Sequence, residues 1–170
     1  MSEPVAAAPG SLIVRFDGGA RGNPGPAAAA AVVEDSAGSR LAEISELLGE
    51  TTNNVAEYRA LLLGLEQARA LGASAVRVCG DSELVIRQLS GAYKVRSAAL
   101  RPLYERARAA LEGFASYTLQ SVPRAQNARA DALVNAALDG AGAQPAQLPR
   151  AGRGAAARAD RAEVSRSGRR

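Results

Sequence analysis

Histidine is absent from this chain, cysteine occurs once, and Lys94 is the only lysine among 21 basic residues. Without an imidazole, no side chain has an ordinary pKa close to neutrality, so histidine-based proton transfer is excluded. Cys79, inside the apolar run Ala75 to Cys79, cannot close an internal disulfide. That suits a reducing compartment, and a cytoplasmic location is expected. No stretch of 18 or more uninterrupted apolar residues occurs, and Met1 to Gly10 carries Glu3 and two prolines in place of a basic start and an apolar run. Neither membrane insertion nor secretion is expected.

What is present fits one domain. A chain of 170 residues with 47% hydrophobic content supports a single core and little more. The formal charge of +4 suggests a nucleic-acid partner until it is divided along the chain. Residues 141–170 hold seven arginines against Asp160 and Glu163, a net of +5, so 4 minus 5 leaves residues 1–140 at about −1. This terminal stretch is rich in Ala, Gly, Arg and Pro and has no aromatic residue. It cannot bury enough apolar surface to offset its chain entropy, so disorder is expected there. Its arginines read either as a polycation attracting phosphate backbones or as a merely solvated tail. The expected division is a flexible segment over 1–10, a folded domain over 11–140, and a basic tail over 141–170.

Within the domain, Ser11 to Asp17 alternates as a half-buried strand, followed by a glycine- and proline-rich loop from Gly18 to Pro26. Ala27 to Glu34 and Arg40 to Leu48 complete an antiparallel meander. From Asn54 the period becomes helical, with a broad apolar stripe through Val55, Tyr58, Leu61, Leu62 and Leu65 that Gly72 ends. Ala75 to Cys79 reads as a short strand buried on both faces. Helices over Ser82 to Leu89 and Ala98 to Phe114, a strand over Tyr117 to Val122, and a helix over Asn127 to Leu138 follow. The order is βββαβααβα, an α/β fold built on a five-stranded mixed sheet with helices on its faces.

Four acids sit at the mouths of these elements: Asp17, Glu57, Asp81 and Asp131. Each has an ordinary explanation alone. Glu57 lies three residues after Asn54, the spacing of a capping box. Asp81 and Asp131 would meet the positive ends of helices, and Asp17 could be a turn residue. If the first and fourth strands are neighbours, however, Asp17 and Asp81 emerge side by side, and the two helices direct Glu57 and Asp131 to the same spot. Four clustered carboxylates repel unless a cation sits among them, and separated oxygen ligands are what a hard divalent ion takes. A pair of such ions suits displacement at phosphorus.

These residues carry a resemblance. Phe16-Asp17-Gly18-Gly19-Ala20, Gly22-Asn23-Pro24-Gly25-Pro26, Thr51 through Asn53-Asn54 to Glu57, Gly80-Asp81-Ser82, and Val122-Pro123-Arg124 through Asn127 to Ala130-Asp131 resemble type 1 ribonuclease H in order and spacing. The resemblance covers about residues 11 to 140. It implies an RNase H-like fold and endonucleolytic hydrolysis of the RNA strand of RNA–DNA hybrids, giving 5′-phosphate and 3′-hydroxyl ends. It also implies two Mg²⁺ or Mn²⁺ ions held by Asp17, Glu57, Asp81 and Asp131, with Glu57 also reaching a ribose 2′-hydroxyl. Gly18, Gly19, Asn23, Asn53, Asn54 and Asn127 become the expected substrate contacts; Asn54 could also cap its helix.

Two departures qualify the match. Many members carry a histidine before the last aspartate, where this chain offers Arg124, as do mycobacterial and archaeal members. Arginine stays protonated, so it can hold a phosphate but cannot act as a base near neutral pH. Ser90 to Ala99 has only Lys94 and Arg96 as cations and no tryptophan, so the basic protrusion of some members is missing. Phosphate contacts are then expected from Arg124, Arg129 and the tail. The alternatives are a wider-specificity nuclease that also cuts double-stranded RNA, as the arginine-bearing subgroup suggests, and a binding-only module, which loss of any of the four acids would favour. A monomer is expected.

Overall fold

The computed structural model describes residues 10–143, so residues 1–9 of the expected flexible start and 144–170 of the expected basic tail lie outside the described residues. Three antiparallel strands come first: β1 (Ser11–Ala20), β2 (Gly25–Asp35) and β3 (Arg40–Thr51). Then follow α1 (Asn53–Ala70), β4 (Ala75–Gly80), α2 (Glu83–Leu89), α3 (Arg101–Glu112), β5 (Ser116–Ser121) and α4 (Ala128–Ala143). The expected element order is recovered, with one addition: a 3-10 turn over Arg124–Asn127 leads into α4. The strands form one mixed sheet in the order β3-β2-β1-β4-β5. β1 therefore pairs with β4 in parallel, bringing Phe16 opposite Gly80 and making Asp17 and Asp81 the next residues on adjacent strands.

Alternation along the strands sorts side chains onto two faces. Leu12, Val14 and Phe16 of β1 and Ala29 and Val33 of β2 pack with Tyr58, Leu61 and Leu65 of α1, and this layer extends to Ala107 and Leu111 of α3. Complete burial of side chains of this size contributes roughly 1.5–3 kcal/mol each. On the opposite face, Ala28 and Ala30 meet Val134, Ala137 and Leu138 of α4. The five consecutive alanines from Ala27 to Ala31 are all buried, so the middle of the sheet presents little side-chain bulk to either helix layer. Gly64 continues this economy of volume, since a Cβ there would lie 2.4 Å from Val14 Cγ1. Tyr58 Oη donates to Gln88 Oε1 at 2.7 Å, giving the buried polar groups between α1 and α2 each other as partners.

Two expectations need correction. The cap of α1 is Thr52, whose hydroxyl accepts from Val55 N, and not Asn54. A capping box would then fall on Val55, which frees Glu57 from that role. β4 is not buried on both faces, because Arg77 is exposed. α4 packs across β1, β2 and β3, so on that side of β4 Cys79 is covered by Ile13 and Val122 while Arg77 stays open to solvent.

Candidate active site

The site forms where β1, β4, α1 and α4 meet. Gly18 sets the approach of α1 to β1: a Cβ at this position would lie 2.2 Å from the Ala56 carbonyl carbon and oxygen. With no side chain in the way, the first turn of α1 rests on the strand end, and Gly18 N donates to Glu57 Oε1 at 3.1 Å. Asp17 projects from β1 with only 6% of its surface exposed. Asp81 follows β4 directly, and the oxygens of Asp17, Glu57 and Asp81 lie within 4.8 Å of one another. Asp131, in the first turn of α4, lines the same groove, close enough for its charge to act on Asp17. Arg124 Nη2 reaches Asp131 Oδ1 at 3.5 Å, with 78% of the arginine side chain exposed. All five line one open groove of about 840 Å³.

The electrostatics follow from this crowding. Burial first, then the negative charges of Asp81 and Asp131, raise the Asp17 pKa to about 7, with Arg124 opposing. Glu57 is held well above the ordinary carboxylate range by burial, then by Asp17 and Asp81, with the Gly18 amide and Arg124 opposing. Both carboxyls thus hold their protons more tightly than ordinary carboxylic acids do. A divalent cation among the three converging oxygens would reverse that balance, and an all-oxygen donor set of this kind fits a hard ion such as Mg²⁺ or Mn²⁺.

The structure distributes the expected substrate contacts unevenly. Gly18, Gly19 and Asn53 line the groove. Asn53 Oδ1 accepts from Ala20 N at 2.8 Å, so its side chain also braces the β1–β2 loop against α1. Asn23 lies outside the groove lining, and its side-chain oxygen accepts from Asn53 N at 3.0 Å. Asn54 is half-buried in the first turn of α1, also outside the lining. Asn127 is placed differently. It is only 1% exposed, its Nδ2 donates to the Phe16 carbonyl at 2.8 Å, and it therefore pins the strand that carries Asp17 from inside.

Among the cations, Arg129 is occupied as well. Its guanidinium forks onto Glu43 of β3, with Nε to Oε2 and with Nη2 to Oε1 at 2.8 Å, and it lies outside the groove lining. Arg21, to which sequence reading gave no role, lines the groove instead. Its position in a loop tethered to α1 was not visible in the residue type.

Comparison with known proteins points to one family. Residues 15–137 match the family model described as reverse transcriptase-like. The chain is 46% identical to ribonuclease HI of Halobacterium salinarum over 132 residues, covering 78% of this chain and 66% of that protein. The crystal structure of RNase H1 from that archaeon superposes with a TM-score of 0.75, covering 76% of this chain and 98% of that one. A bifunctional protein of Mycobacterium tuberculosis is 47% identical over 131 residues, 76% of this chain and 36% of its own length. This chain therefore spans about a third of that relative. LC11-RNase H1, solved in complex with an RNA/DNA hybrid, is 43% identical with a TM-score of 0.73 over 76% of this chain and 98% of that one.

Proposed function

This chain belongs to the type 1 ribonuclease H family, and on that premise we propose that it hydrolyses the RNA strand of RNA–DNA hybrids with the help of divalent metal ions. The observation that carries the reading is the convergence of Asp17, Glu57 and Asp81 to within 4.8 Å in an open groove that Asp131 also lines. The four acids are the residues that would hold the metal. Two bound ions would activate water, neutralise charge on the scissile phosphate and stabilise the leaving 3′-oxygen.

The protein's own groups supply position. Burial and the Gly18 amide fix Glu57, which we assign a second contact to a ribose 2′-hydroxyl, the group that separates RNA from DNA. Gly18 and Gly19 keep side chains out of the groove floor, so backbone groups approach the sugar edge, with Asn53 beside them. Arg124 faces the scissile phosphate as a fixed positive charge, holding it without exchanging a proton. The products are a 5′-phosphate and a 3′-hydroxyl. We place this activity in a cytoplasmic monomer; no described helix is long and apolar enough to cross a membrane.

Labelled hybrid, duplex RNA and duplex DNA, each incubated with Mg²⁺, Mn²⁺ or chelator and resolved on a gel, test the reading. Cleavage of the hybrid RNA strand in either metal and none in chelator is expected, and an intact hybrid in both metals refutes it. Cutting of duplex RNA in the same lanes would widen the substrate range.

A further inference from the structure

We propose that Arg21 is a second backbone-phosphate contact for the hybrid, held in reserve by Asp139 when no nucleic acid is bound. The inference rests on the nuclease reading above and assigns a residue to the grip on substrate.

Among the described residues that line the groove, Arg124 and Arg21 are the two cations. They address opposite ends of one stripe on α4. Asp131, Asn135 and Asp139 are spaced four apart and so share a helix face. Arg124 meets the first. Arg21 meets the other two, Nη1 lying 2.8 Å from Asp139 Oδ1 and Nη2 3.5 Å from Asn135 Oδ1. Asn135 Nδ2 in turn faces Asp131 Oδ2 at 3.5 Å, linking this end of the stripe to the carboxylates. Eight residues of α-helix span about 12 Å. A nucleic-acid strand presents one phosphate per roughly 3.4 Å of axis, so the two guanidiniums address different phosphates.

The backbone that carries Arg21 is already in place. Arg21 N donates to the Pro26 carbonyl at 2.8 Å, closing the loop, and the Ala20–Asn53 and Asn23–Asn53 bonds tie it to α1. The ion pair with Asp139 is therefore not needed to hold the loop. It is also exposed, with 49% of the Arg21 side chain and 68% of the Asp139 side chain accessible, and exposed pairs of this kind contribute little to stability. A phosphate offers the same guanidinium a bidentate, charge-assisted partner and displaces the carboxylate readily.

Steady-state cleavage of a hybrid across a series of salt concentrations tests this with Arg21→Ala, Arg21→Lys and Asp139→Asn. Arg21→Ala should raise KM about tenfold, with the loss in KM and not in kcat. The slope of log kcat/KM against log salt should become shallower by roughly one unit. Arg21→Lys should recover part of the affinity, because the charge remains and the fork does not. Asp139→Asn should lower KM about two- to threefold, since it removes the anion that competes with phosphate. A purely structural ion pair would move both halves in the same direction. An Arg21→Ala enzyme with unchanged KM and salt slope overturns the contact, and an Asp139→Asn enzyme with raised KM overturns the reserve role. A wild-type protein that cuts no hybrid is a different result, refuting the nuclease reading and this contact with it.

Discussion

The floor and the rim of the groove are built by different means. Asp17 and Glu57 stand on β1 and α1, elements locked together by Gly18 and a continuous apolar layer, and their carboxyls are desolvated beside one another. Arg124, Arg21 and Asp139 stand at the edge, from about half to more than three quarters exposed, in pairs that water competes for. The floor holds like charges where the fold forces them, whereas the rim holds opposite charges that can change partners. Chemistry that needs a cation belongs to the first region, and recognition of a polyanion belongs to the second.

Three measurements can break or sharpen that contrast. The largest effect is expected on the floor. Asp81→Asn should reduce hybrid cleavage about a thousandfold or more, corresponding to roughly 4 kcal/mol of lost transition-state stabilisation, while circular dichroism stays unchanged. Near-normal turnover from this variant would remove the carboxylate cluster from the reaction.

Next is the pH dependence of stability in chelator. Asp17 binds its proton more tightly folded, with a pKa of about 7, than at its ordinary value of 3.8. The folded state therefore holds the extra proton, and stability should decline as pH rises from about 4 to about 7, by at most about 4 kcal/mol for this one group. Glu57 adds to the decline in the same direction. Thermal melts should show a lower Tm at pH 8 than at pH 5.5, with Mg²⁺ restoring much of the difference at pH 8, and Asp17→Asn should be more stable than wild type in chelator at pH 8. A flat melting profile would mean that the carboxyls are not in conflict. The smallest effect belongs to the rim, where Arg124→Ala should lower turnover about tenfold with metal affinity by calorimetry little altered. Unchanged kinetics would confine Arg124 to a surface pair with Asp131.

Much of this was legible before the structure. Period-2 runs marked the strands, the long apolar stripe marked α1, and the positions of the four acids at element ends carried the expectation that they converge. What stayed hidden depended on partners rather than residue types. Thr51, Thr52, Asn53 and Asn54 include several good caps in a row, and only the backbone conformation selects Thr52. Asparagine suits both a groove wall and a buried brace, so Asn127 could not be told from Asn53 by type. Arg21 and Arg129 look alike in sequence, yet one faces the groove and the other is claimed by Glu43 across 86 residues. The exposure of Arg77 was open to sequence reading, because an arginine inside a short apolar run already argues for one uncovered face.

The alanine run in β2 bears on the reaction although no atom of it lines the groove. Ala29 touches the layer that carries Glu57, while Ala28 and Ala30 touch the helix that carries Asp131, so the thickness of this strand works as a gauge separating two of the acids. A bulkier residue at Ala30 would wedge α4 outward and widen that gap from a distance. The smallness of these side chains is thus a tolerance on the spacing of the acids, imposed from the middle of the sheet.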